Sequence, residues 1–152
     1  MLGMFNNCFN LKYLDIHNFE TSLVTDMGYM FNECSSLKSI DITNFNTNSV
    51  KSMKIMFGNC NSLTTLDLSY FDTSLVTDLS WMFYECRNLI YLDLSNFNTT
   101  STTEFKAMFY ECKSLKTLNI TNFNTCKAHN MRYMFYKCSS LTAINHLTIF
   151  PT

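Results

Sequence analysis

Six cysteines stand 26 residues apart, at Cys8, Cys34, Cys60, Cys86, Cys112 and Cys138. A row of thiols can form disulfides, hold a metal ion or supply nucleophiles. The surroundings argue against all three uses. Cys34 shares steps of three and four with Val24, Met27, Met30 and Phe31, so it lies on the inward side of its segment. Helical pieces stack at roughly 8–10 Å, and a disulfide needs Cα atoms within about 7 Å. Buried free thiols, packing as small hydrophobes, are the expectation. Cys126 stands outside the row, where other units have Ser22, Asn48, Ser74 and Thr100. With His129 it spells C-x-x-H, which is too few ligands for a metal, and it reads as an exposed thiol.

A second row carries carboxylates: Asp15, Asp41, Asp67 and Asp93, continued by Asn119 and Asn145. At a strand spacing of about 4.8 Å, neighbouring charges repel by about 1 kcal/mol even in bulk water. Three readings are open: a solvated ladder, a row of cation sites, or a partner-facing stripe shared with Tyr13, Tyr91, Ser39, Thr65 and Thr117. Calcium wants six or more converging oxygens, which a single row does not provide. Aromatic residues form two further rows. Tyr84, Tyr110 and Tyr136 share one position, and Tyr29, Ile55, Trp81 and Tyr133 share another. Aromatics left at a surface suit protein or glycan contact, or else they pack laterally between neighbouring units.

Catalysis has little to stand on. His17, His129 and His146 fall at different phases of the repeat, so stacking does not gather them. There is no G-x-S-x-G, H-E-x-x-H or Gly-rich phosphate loop. No enzyme activity and no cofactor are expected. Among 152 residues the formal charge is −1 and charged side chains make up 15%, with Lys and Arg scattered; nucleic acid is not expected as a partner. No apolar stretch is long enough to span a bilayer, and "MLGMFNNC" lacks the features of a signal peptide.

The elements that must position these rows are set by one repeat. "MF" begins at Met4, Met30, Met56, Met82, Met108 and Met134, always 26 residues on. "LKSIDITNF" alternates Ile40 and Ile42 inward with Ser39, Asp41 and Thr43 outward, which is strand spacing. "VTDMGYMFNEC" has helical spacing, with Ser or Thr before it as an N-cap and Asn or Asp at the corner. Such a unit cannot bury its apolar face alone, so units must stack on a common core. The expected fold is α/β: a right-handed, leucine-rich-repeat-like solenoid of about six coils over residues 1–152. A parallel sheet is expected on one side and short helical segments on the other.

The string "MFxxCxxLxxLDLSxF" followed by "DTSLVTDM" closely resembles the BspA-like leucine-rich-repeat surface proteins, a bacterial repeat family, over residues 4–145. That resemblance implies a non-enzymatic adhesion or protein-interaction module, at a cell surface or secreted, with a protein or host-surface ligand. The candidate interaction surface is Tyr13, Asp15, Asp41, Asp67, Tyr91, Asp93, Trp81, Tyr84, Tyr110 and Tyr136. Met1 aligns with Met27 in mid-repeat and no polar capping unit is evident at either end. This motivates an alternative, a subunit that stacks head to tail into a filament. Its candidate end contacts are Met1, Leu2, Met4, Phe5, Leu147, Ile149 and Phe150.

Overall fold

The computed structural model describes residues 1–145. Successive 26-residue units lie against one another, and the alternation of backbone hydrogen bonds explains how. Tyr29, Phe31 and Glu33 donate their N–H groups to the carbonyls of Lys54, Met56 and Gly58 in the next unit, at 2.7–2.9 Å. Between them, Met30, Asn32 and Cys34 donate within their own unit to Met27, Tyr29 and Phe31. Half of the donors thus close tight turns, and half tie one unit to the next.

This alternation overturns the expected fold class. Among the described residues there is no helix, and strands are confined to β1 (Tyr91–Asp93), β2 (Thr117–Asn119) and β3 (Ala143–Asn145). They pair in parallel in one open sheet, with Leu92 opposite Leu118 and Leu118 opposite Ile144. An α/β solenoid of about six coils with helical segments is therefore not what forms. The reason lies at two positions in each unit. Gly3, Tyr29, Ile55, Trp81, Ala107 and Tyr133 all have φ between 53° and 61°, as do Asn7, Glu33, Asn59, Glu85, Glu111 and Lys137 between 54° and 63°. Two left-handed residues four positions apart in each unit stop the i→i−4 bonding on which an α-helix depends. Steps of three and four still put Met27, Met30, Phe31 and Cys34 on one side, because turns closed by i→i−3 bonds also bring such residues together. Isolated parallel bridges join Asp26, Ser52, Asp78, Glu104 and Asn130 in sequence, marking the same register where no strand forms.

The core runs through the stack as aligned rows. Phe5, Phe31, Phe57, Phe83, Phe109 and Phe135 stack with centroids 5.5–6.0 Å apart. Alongside them, Cys34, Cys60, Cys86, Cys112 and Cys138 donate their thiols to the carbonyls of Phe5, Phe31, Phe57, Phe83 and Phe109, at 2.9–3.3 Å. All seven cysteines are free, and Cys34, Cys60, Cys86 and Cys112 are buried, as their spacing predicted. Burial pushes the Cys34 and Cys138 thiols up to about 11 and the Cys86 thiol up to about 12. A polar row is buried beside the Phe corner: Thr21, Thr47, Thr73, Thr99 and Thr125. The Thr47 hydroxyl donates to the Asp72 carbonyl (2.9 Å) and accepts from the Asp72 N–H (2.8 Å), holding both backbone groups of a residue in the following unit. Thr21 does the same with Asn46, and Thr99 with Asn124.

Candidate functional site

Two of the left-handed positions, Trp81 and Tyr133, carry aromatic rings outward while their neighbours Met82 and Met134 are buried in the core. Three residues further along each unit come Tyr84 and Tyr136, with Tyr110 between them. Because the Trp81 N–H is bonded to the Lys106 carbonyl and the Ala107 N–H to the Arg132 carbonyl, these positions are held in register across three units. The rings consequently meet. Tyr84, Tyr110 and Tyr136 form a row with centroids 5.6 and 4.9 Å apart. Trp81 stands edge-on to Tyr84 at 5.1 Å, and Tyr133 edge-on to Tyr136 at 5.8 Å. Trp81 also leans towards Tyr110, at 5.8 Å. Together with Lys106 these five rings line an open hollow of about 420 Å³.

Cations border the hollow. The Lys106 ammonium lies 5.5 Å from the centre of the Trp81 ring, and the Lys137 ammonium 5.2 Å from that of Tyr136. Lys137 is also bonded to Glu111 (3.0 Å), a carboxylate that meets Lys113 at 3.2 Å and Arg87 at 3.4 Å; Arg87 reaches Glu85 at 2.6 Å. The bond to Lys137 and the proximity of Lys113 hold the Glu111 carboxyl below its usual range. Hydrogen bonding to the Glu85 carboxylate, with some burial, pushes the Tyr84 phenol up to about 12. Lys106, by contrast, is in no ion pair among the described residues.

The remaining predicted surface residues gather elsewhere. Tyr13, Asp15 and Asp41 border one hollow of about 350 Å³ with His17, and Asp67, Tyr91 and Asp93 border another of about 510 Å³. Their carboxylates are turned back on the chain. Oδ1 of Asp41, Asp67 and Asp93 accepts from the N–H two residues on, at Thr43 (3.1 Å), Ser69 (2.9 Å) and Ser95 (2.8 Å). Asp15 does likewise with His17 and also accepts from its ring. These bonds hold all four carboxyls below their ordinary range. Asn119 makes the same turn, with the Thr121 N–H at 3.3 Å. The row is thus a series of Asx turns, and among the described residues no three His, Cys, Asp or Glu side chains are placed to hold a metal ion.

Of the candidate end contacts, Leu2 and Met4 are exposed and Met1 and Phe5 half-buried against the core, whereas Leu147, Ile149 and Phe150 lie outside the described residues. Trp81, Tyr84, Tyr110 and Tyr136 come together as one patch; Lys106 and the small residue Ala107 completing it were not singled out from sequence. Aligning the units on Trp81 picks out Ala107, which stands where four other units have Tyr29, Ile55, Trp81 or Tyr133, but it does not pick out Lys106, whose position also carries Lys54 and Arg132.

Among the described residues no helix is long and apolar enough to cross a membrane. No curated protein and no solved structure matches the chain. A family model does, twice and with overlap, over residues 1–91 and 64–148, as expected when the same unit recurs along the chain. The two matches take in nearly all of the sequence, so this chain belongs to the family described as Mycoplasma protein of unknown function, DUF285.

Proposed function

We propose that the chain is a non-enzymatic binding module of a bacterial surface or secreted protein, which engages another protein through the aromatic patch around Trp81 and Tyr110. The patch itself carries this reading: five rings and a lysine around one hollow. Aromatic side chains bury much area for few lost rotamers, and they dominate the energetics of protein contacts. The resemblance to surface repeat proteins supports the same role. The other rows support it by default, since the cysteines, threonines and aspartates are engaged in holding the units together or in closing turns.

Selection from a displayed peptide library tests this. The wild-type chain should enrich a convergent motif whose binding is lost on the Trp81→Ala, Tyr110→Ala double variant. Enrichment of no motif, or of motifs that bind the double variant equally well, would remove the reading.

A further inference from the structure

The backbone position occupied by Ala107, at φ 53°, carries Gly3, Tyr29, Ile55, Trp81 and Tyr133 in the other units, at φ between 56° and 61°. Ala107 thus places no ring between those of Trp81 and Tyr133 in the two flanking units. Their backbones lie two inter-unit steps apart, roughly 10 Å at the spacing of paired strands. A planar group needs about 3.5–4.0 Å to a neighbour on each of its faces. The interval accordingly accepts one such layer and no more. Ala107 itself is covered by its surroundings. The hollow is lined by Trp81 and Tyr133 from the flanking units and by Lys106 and Tyr110 from the unit of Ala107. That hollow is within the range of sites that hold small groups.

We propose that this hollow takes one aromatic side chain of a partner polypeptide, with a carboxylate beside that ring set against Lys106. The inference deepens the binding-module reading and rests on it. An aromatic guest continues the ring contacts already present, edge-on or offset, on both sides. Charge selects the neighbour. Lys106 lines the hollow with no carboxylate partner among the described residues, whereas Lys137, beside Tyr136, is already paired with Glu111. An acidic flank is attracted there and a basic one repelled.

The test uses labelled peptides with an Asp-Phe-Asp, Asp-Leu-Asp or Lys-Phe-Lys core in a Gly-Ser frame, and free N-acetylphenylalanine. Affinity is read by anisotropy for the peptides and by competition for the free acid. Trp81 is the only tryptophan, so its emission reports directly on the hollow. Asp-Phe-Asp should bind with a blue shift of that emission, and the other two peptides at least about tenfold more weakly. Ala107→Tyr adds a ring between Trp81 and Tyr133, at a position that carries tyrosine in two other units, and should cost at least about tenfold in affinity. Lys106→Gln should cost about threefold for the acidic peptide, the size expected of an exposed ion pair. It also carries the test, together with the Trp81 emission, if Ala107→Tyr unfolds. The proposal is overturned by undiminished binding to folded Ala107→Tyr, by an unresponsive Trp81, or by equal binding of the leucine peptide. Free N-acetylphenylalanine binding as tightly as the peptide would overturn it too, in favour of a small aromatic acid. If Asp-Phe-Asp fails while library-selected peptides still depend on Trp81 and Tyr110, this inference falls and the binding-module reading stands.

Discussion

Thr47 shows how much a single side chain contributes here. Its hydroxyl serves the carbonyl and the N–H of Asp72 at once, inside the structure, where water cannot substitute. Thr47→Val keeps the shape and removes both bonds, so the urea midpoint should fall by an amount equivalent to about 1–3 kcal/mol. In sequence, Ser and Thr in this part of the unit read as N-caps. The recurrence of Thr in five units was legible, but its partner in the next unit was not. The cysteines make a complementary case. Cys34, Cys60, Cys86 and Cys112 are buried with thiols pushed well up by burial, and Cys126 is exposed. Since the thiolate is the reactive form, a thiol reagent should modify Cys126 first. Those four should react only after unfolding in urea, and rapid modification of all seven in the native protein would refute their burial.

Turns, rather than helices, are the units of construction, and each unit holds two residues in the left-handed region, mostly side chains for which that conformation is costly. Glu33 sits there at φ 61° without a side-chain partner among the described residues. Glu33→Gly relieves a cost of about 1–2 kcal/mol and gives back about 0.5–1 kcal/mol in unfolded-chain entropy. A modest rise in thermal midpoint is expected, and a fall would contradict the turn. The Asx turns give a pH dependence with a definite sign. The Asp15, Asp41, Asp67 and Asp93 carboxyls are held below their ordinary range by N–H and hydroxyl donors. Their contribution is present above the unfolded value of about 3.9 and is lost as pH falls through the lower, folded values. Urea midpoints should accordingly be level in this respect from pH 7 to 5 and decline on going below about pH 4. Asn119 makes the same turn with no charge to lose, so Asp41→Asn should fold and soften that decline.

Stacking sets the properties of the assembled chain. Nearly every turn is tied to the next unit through an N–H that reaches 25 residues ahead, from Phe31 to Met56, Phe57 to Met82 and Phe83 to Met108. In such arrays stability is the sum of unit terms and nearest-neighbour contacts. Deleting residues 56–81 removes one full period and lets Phe31 meet Met82 as it now meets Met56. That variant should fold with a lower thermal midpoint. Deleting residues 56–80 shifts every later residue by one place, turning buried Phe and Met positions outward, and should not give a cooperative melt. Equal behaviour of the two would show that register does not govern the stack.

From the order of residues alone came the 26-residue period, the inward rows of Cys, Met, Phe and Leu, the outward row of Asp, and the clustering of tyrosines in the later units. These follow from side-chain chemistry repeated at a constant interval, which needs no coordinates. Steps of three and four do not distinguish a helix from a succession of i→i−3 turns, and the choice rested on where the backbone N–H groups go. Half of them go to another unit, a destination that no local pattern records, and so the expected helices gave way to turns. The hollow at Trp81 was hidden for the same reason: Lys106, Tyr110 and Tyr133 belong to other turns, and only stacking brings their side chains to one place.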